Sequence, residues 1–147
     1  FSTYFNVAEK SRTKNLKLAA EAINNCLIKP EKIFSFNQTV GPRIPEKGYE
    51  KAIVYINKEK VEDYGGGVCQ VSTTLYNAVL QAGLPVLERH PHSLPVPYVS
   101  AGKDATVSYG TLDLKFKNDR ARDILIKAAV DQNKLTIELY SLPMLTG

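Results

Sequence analysis

Gly65-Gly66-Gly67-Val68-Cys69-Gln70-Val71-Ser72-Thr73-Thr74-Leu75-Tyr76-Asn77-Ala78-Val79-Leu80-Gln81-Ala82-Gly83 is the stretch on which the reading of this chain turns. Val68, Val71, Leu75, Val79 and Ala82 recur at spacings of three and four, which lines one face of a helix. Gly83 stops that helix and three glycines lead into it. Cys69 therefore falls in the first turn, where the positive end of the helix dipole favours a thiolate, and the glycines let backbone come close to a bound ligand. A nucleophilic cysteine at a helix start is a recurring enzymatic arrangement, and for Cys69 a buried packing role stays open beside it. Gln70, Ser72 and Thr73 add small hydrogen-bonding groups that either line a cleft or cap and solvate a helix end.

Upstream, Leu16, Ala19, Ala20, Ile23 and Leu27 predict a first helix over 12–27, closed by Pro30 and capped by Ser11 or Thr13. Cys26, at the end of that face, reads as a small packing hydrophobe. Phe34-Ser35-Phe36-Asn37 reads as a short strand leading into an irregular loop, and residues 52–56 as a second strand. Asn57-Lys58 is a turn signal, with Val61 opening a short return strand. Downstream of the second helix, 85–90, 94–99, 105–109 and 112–117 read as strands, and 123–130 with 134–140 as a hairpin around Asp131-Gln132-Asn133. Two helices followed by a run of strands is an α+β pattern, two helices packed on a mostly antiparallel sheet.

Composition bounds the rest. A chain of 147 residues and 16.3 kDa, 44% hydrophobic and 23% charged, is a single soluble domain and excludes a disordered or collagen-like chain. No apolar run reaches the length of a membrane span. The net charge of +4 comes from dispersed Lys and Arg, which argues against a nucleic-acid-binding stripe while suiting an anionic polymer such as a bacterial cell wall. Cys26 and Cys69 lie in unlike contexts and read as two separate thiols. The chain opens at Phe1 with no initiator methionine, and the expectation is a processed protein or a fragment cut from something longer, with residues 1–147 forming one domain.

A nucleophilic cysteine needs a base. The two histidines, His90 and His92, follow Cys69 by about twenty residues in Glu88-Arg89-His90-Pro91-His92-Ser93. They could also bind a metal, but the spacing is no zinc signature and metal is the weaker reading. Asp104 and Asp113 are the acidic candidates, each able to orient an imidazole or, with a raised pKa, to act as an acid on a sugar. Turn capping for Asp104 and a strand-edge role for Asp113 stand beside those.

The block 65–78, with Arg89, His92-Ser93, Tyr98, Gly102, Asp104-Ala105-Thr106-Val107, Asp113-Leu114 and Phe116-Lys117-Asn118, resembles the VanW family. Phe1 through Tyr4, Arg12, Asn15, Pro30, Phe34 through Asn37, Val40-Gly41 and Gly48-Tyr49 extend the resemblance over nearly the whole chain, with Glu31 a departure where the family often has glycine. His90 matches no position of the motif, which makes His92 the preferred base. The resemblance implies an extracytoplasmic, membrane-anchored protein of the cell envelope of a Gram-positive bacterium, linked to glycopeptide (vancomycin) resistance. Glycine then cysteine at a helix start, a later histidine and a still later aspartate is also similar to the transglutaminase and papain-like order of parts.

The expected partner is peptidoglycan or its precursors, with no nucleic acid, no cofactor and no metal, and with the membrane met only through an upstream anchor. Three functions follow. In the first, Cys69 attacks a peptide carbonyl with His92 as base and Asp104 as orienter. In the second, a carboxylate, Asp104 or Glu88, cleaves the glycan strand, as in a lytic transglycosylase or hydrolase. In the third the domain is a non-catalytic wall- or partner-binding module. Gly65, Gly66, Gly67, Gln70, Ser72, Thr73, Arg89, Ser93, Tyr98 and Asp113 are the expected binding residues around this chemistry.

Overall fold

In the computed structural model, which describes residues 1–56 and 58–143, three α-helices pack with antiparallel sheets in an α+β arrangement. The elements are β1 (Ser2–Tyr4), α1 (Lys10–Ile23), β2 (Leu27–Ile28), β3 (Ile33–Ser35), α2 (Phe36–Val40) and, after a 3-10 turn at Pro45–Lys47, β4 (Lys51–Ile56) and β5 (Glu59–Tyr64). Then come α3 (Val68–Ala82), β6 (Val86–Glu88), β7 (Lys115–Lys117), β8 (Ile124–Asp131) and β9 (Lys134–Ser141). The sheets run β1-β9-β8-β2, β3-β7-β6 and β4-β5, with every pairing antiparallel. Among the described residues, no helix is long and apolar enough to cross a membrane.

Helix α3 has the bounds its periodicity predicts. Val71, Leu75 and Val79 are wholly buried, and Gly83 turns the chain at φ 72°, left-handed backbone that glycine adopts without a Cβ penalty. Leu16, Ala19 and Ile23 of α1 meet them in a core completed by Ile126 of β8 and by Leu135 and Ile137 of β9. Alternation along β8 and β9 sends these apolar side chains to one face, so the two long helices share one side of the four-stranded sheet. Phe34 and Phe116, paired across β3 and β7 with ring centroids 5.1 Å apart, close the second sheet over the same core.

Several boundaries differ from the sequence-based expectation. Helix α1 ends at Ile23 instead of Leu27, because Asn24 and Asn25 break it: Asn25 takes φ 66° and its N–H donates to Ile126 O at 2.8 Å. Asn24 Oδ1 accepts Ala128 N–H, so the two asparagines swing Leu27 and Ile28 into register with β8, and Leu27 is exposed. Neither Ser11 nor Thr13 caps α1; both lie inside it, and Glu9 holds the cap position. The 34–37 strand stops at Ser35, whose hydroxyl caps the short helix α2 by accepting Gln38 N–H. Asn57 of the expected turn lies outside the described residues, but β4 and β5 pair from Lys51↔Tyr64 to Ile56↔Glu59.

Two of the expected downstream strands are absent from the ladders among the described residues. Pro95 and Pro97 leave 94–99 without the N–H groups a ladder needs. Residues 105–109 run without a strand partner apart from one bridge, Ser108↔Leu112. The backbone groups of Ala105 and Val107 bond side chains of α3 instead, and Thr106 N–H donates to His90 O at 2.8 Å, which is what builds the site.

Candidate active site at the start of helix α3

Cys69 is the second residue of α3 after Gly67, and the segment 103–107 lies alongside the first two turns. Ser72 Oγ donates to Ala105 O at 2.5 Å, Thr73 Oγ1 donates to the same carbonyl at 3.2 Å, and Ala105 N–H returns a bond to Thr73 Oγ1 at 2.9 Å. Asn77 Nδ2 adds a bond to Lys103 O at 2.8 Å. A strand-like sequence is thus docked on a helix through hydroxyl and amide side chains, a geometry that spacing alone does not announce.

That docking sets three groups near the thiol. Val107 N–H donates to Cys69 Sγ at 3.4 Å, the thiol reaches Val107 O at 3.4 Å, and Thr106 Oγ1 lies 3.4 Å from the same sulfur. It also fixes Asp104, whose Oδ2 accepts the backbone N–H of His92 at 2.5 Å and lies 2.6 Å from His92 Nδ1. Arg89 clamps the aspartate from behind: Nε donates to Asp104 O at 2.8 Å, Nη2 to Gly102 O at 3.0 Å, and Nη2 lies 3.5 Å from Asp104 Oδ1. The guanidinium is stacked 5.1 Å over the Tyr76 ring.

With Nδ1 committed to Asp104, Nε2 is the imidazole nitrogen left for the thiol, and His92 and Cys69 perturb each other strongly. Burial pushes the Cys69 thiol up, but the neighbouring His92 imidazole, with the contacts from Thr106 Oγ1 and Val107 N–H, outweighs it and holds the thiol below its ordinary range. Burial pushes His92 down, and the neighbouring Cys69 and then Asp104 reverse that, leaving the imidazole above its ordinary range. For Asp104, burial acts upward and the two His92 bonds more than offset it, so the carboxylate stays ionised. Each shift favours the charged form of its group, thiolate at Cys69 and imidazolium at His92, and the thiolate is the form in which cysteine is a nucleophile.

This cluster opens on a cleft of about 1230 Å³ whose lining includes Cys69, His92, Gly65, Gly67, Gln70, Ser93 and Tyr98. Burial and the neighbouring Cys69 raise the Tyr98 phenol, against a weaker pull from Thr73 and Arg12, so it remains a protonated donor. The other expected residues lie behind the cleft wall. Ser72, Thr73 and Arg89 hold the Asp104 segment, and Gly66 packs on β4, where a Cβ would lie 2.7 Å from Ala52 Cβ and from Ile53 O. Gln70 faces the cleft, yet its amide is spent on Arg12, Thr3 and Tyr4 O.

Asp113 is placed apart from the thiol: its oxygens accept Ser35 Oγ at 2.5 Å and Asn37 N–H at 2.8 Å, pinning the start of α2. His90 turns to Glu88 at 2.9 Å, which leaves His92 as the histidine at the thiol. Reasoning from sequence missed Arg12, Arg43, Thr106 and Tyr76. Arg43 follows Gly41-Pro42 in the irregular loop after Asn37, and no spacing signal joins it to Cys69. Among the described residues, no group of three or more His, Cys, Asp or Glu side chains comes together to hold a metal ion.

Comparison with known proteins places this geometry in a family. No solved structure matches the chain. It is 48% identical over 141 residues to the uncharacterized protein YoaR of Bacillus subtilis (strain 168), covering 96% of this chain and 46% of that protein. It is 31% identical over 140 residues to the vancomycin B-type resistance protein VanW of Enterococcus faecalis (strain ATCC 700802 / V583), covering 92% of this chain and 51% of that protein. The chain thus spans about half the length of the curated relatives it matches. The family model described as VanW like protein matches residues 11–140, a span that holds the glycine loop, the thiol, His92 and Asp104, and the chain belongs to the VanW family.

Proposed function

We propose that this domain is a thiol-dependent acyltransferase or hydrolase that acts on the peptide part of peptidoglycan, outside the cytoplasmic membrane of a Gram-positive cell. The observation that carries the reading is the Cys69 sulfur, bonded by Val107 N–H and set against an imidazole whose other nitrogen lies 2.6 Å from Asp104. Similarity to a protein named for vancomycin resistance supports a substrate in the cell envelope.

The thiolate attacks an amide carbonyl carbon and forms a C–S bond. The oxyanion forms beside the start of α3, where Cys69 N–H has no acceptor among the described hydrogen bonds and the helix dipole is positive. His92 gives its proton to the leaving nitrogen, the C–N bond breaks, and a thioester remains. Water, or a second amine, then loses a proton to His92 and attacks the thioester, which restores the thiolate and yields an acid or a new amide. Asp104 keeps the ring oriented and its charge compensated throughout.

Glycan cleavage by a carboxylate has less support, because its acid must be protonated near neutral pH. Asp104 is held down by His92, and Glu88 by its bond to His90, so both are ionised there.

Incubating the protein with purified peptidoglycan and identifying the products by mass spectrometry tests the reading. Cleaved or newly joined peptides that disappear with Cys69→Ser are expected. Anhydro-sugar or reducing glycan ends that survive Cys69→Ser would overturn it in favour of glycan chemistry. Sedimentation with the polymer and no product would point to a wall-binding module.

A further inference from the structure

The two outer glycines of the loop make room for two arginines. A Cβ on Gly67 would lie 2.6 Å from Arg12 O and 3.0 Å from Arg12 Cγ; one on Gly65 would lie 2.7 Å from Arg43 Cγ and 2.9 Å from Arg43 Cβ. Both glycines also take positive φ, 92° at Gly65 and 106° at Gly67, so neither position accepts a side chain. The stems of Arg12 and Arg43 are thereby seated against the turn that presents Cys69, and both side chains line the same cleft as the thiol.

Their guanidinium groups are held by neutral partners. Arg12 Nη2 donates to Gln70 Oε1 at 2.7 Å and the group lies 5.8 Å over the Tyr98 ring. Arg43 donates to Gly41 O and to Asn37 Oδ1, each at 2.8 Å, and lies 5.6 Å over Phe36 and 6.0 Å over Tyr109. Among the described residues neither makes an ion pair, whereas Arg89 and Arg120 do. A guanidinium carries five N–H donors, so each arginine keeps several for a ligand. The carboxylates that line the cleft, Glu9 and Asp63, are solvent-exposed, as is Lys60, whereas Arg12 and Arg43 are partly buried, with Asp113 acting on Arg43 from outside the lining.

We propose that Arg12 and Arg43 form a carboxylate-recognising pair beside Cys69, which selects acyl donors bearing a carboxylate close to the bond under attack. The inference rests on the thiol chemistry proposed above and names a property of its substrate. Planar bidentate donors on aromatic faces fit a carboxylate better than a lysine would, and a low-dielectric cleft strengthens the attraction.

The test is the rate at which Cys69 of the full chain, in a Cys26→Ser background, reacts with iodoacetate and with iodoacetamide. Carboxylate and amide differ in charge but little in size, and iodoacetate is intrinsically no better an alkylating agent. The ratio of the two rates, divided by the same ratio for a small neutral thiol, is expected to exceed unity by roughly tenfold and to fall as salt is added. Arg43→Gln and Arg12→Gln should each lower it several-fold, with partial rescue by lysine. A normalised ratio of one, or a ratio unmoved in both variants, overturns the proposal.

Should the variants not fold, the unsubstituted chain decides by titration followed by NMR. N-acetylglycine shifting resonances at the cleft while N-acetylglycinamide does not supports the pair, and equal responses overturn it. The iodoacetamide rate alone reads the thiol: a Cys69 inert to that reagent sinks the thiol mechanism, and the titration still judges the arginines separately.

Discussion

Cys26 and Cys69 are the same residue type, both half-buried and both free, yet their surroundings push them in opposite directions. Cys26 follows α1, and among the described residues its sulfur finds only Ala22 O, at 3.7 Å; burial raises its pKa. Cys69 begins α3, and burial there is offset by His92, Thr106 and Val107 N–H. Burial by itself makes a thiol inert. What makes one reactive is a set of groups aimed at the sulfur, and those at Cys69 come from His92 and from a segment almost forty residues later in the chain.

The contrast breaks most sharply if Asp104 is replaced. Asp104→Asn removes the charge that supports the imidazolium, and activity in the peptide-release assay should fall on the order of a hundredfold to ten-thousandfold. Because Asp104 contributes to raising His92, the alkaline limb of the pH–rate profile should move to lower pH. The acid limb should move up as the thiolate loses part of its counter-charge, so the active window narrows from both sides. An unchanged profile would detach Asp104 from the thiol.

Alkylation of the two cysteines measures the contrast directly. At pH 7, iodoacetamide should label Cys69 roughly tenfold faster than Cys26, or more, read by peptide mass spectrometry, and the gap should narrow only as pH rises and Cys26 ionises. Equal labelling at every pH would mean that the donors around Cys69 do not act on it.

Stability carries a sign of its own. Asp104 has its folded pKa lowered, so its contribution is full above the ordinary aspartate value and is lost as pH falls through the folded one. His92 has its folded pKa raised, so its contribution is full below the ordinary histidine value and is lost as pH rises through the folded one. Denaturant titrations across pH should therefore show the Asp104→Asn variant approaching the parent in acid.

Thr73→Val leaves Ala105 N–H without its partner and is expected to cost about 1–3 kcal/mol in denaturant titration while slowing Cys69 alkylation, since the 104–107 segment loosens. The smallest effect belongs to Cys26→Ala. Its sulfur makes one weak bond, and the cost should be about 1 kcal/mol, with the peptide-release rate unaltered. A loss of activity there would undo the division into a packing thiol and a site thiol.

Much of the architecture is legible locally. The periodicity of α3, the Gly83 stop and the alternation of β8 and β9 each lie within one short window, and the structure follows them. Windows fail where a distant partner decides. Leu27 continues the apolar face of α1, but Asn24 and Asn25 bond to β8, more than a hundred residues away, and the helix ends early. Residues 105–109 have strand-like composition, but Ser72, Thr73 and Cys69 take up the backbone groups of Ala105 and Val107. The glycines were legible as permissive backbone, while the atoms that need the room, those of Arg12 and Arg43, were not.

By itself the sequence determined that a thiol stands in the first turn of an amphipathic helix, that His92 and Asp104 follow it, and that the chain carries the VanW pattern, because residue order and helical period are local properties. Only the tertiary structure decided which histidine meets the sulfur, which aspartate meets that histidine, and that Asp113 serves α2 instead. The physical reason is the range of the forces involved. Hydrogen bonds at 2.5 to 3.4 Å act between groups that chain order leaves unpaired, and the pKa of each group in the site is set by those contacts.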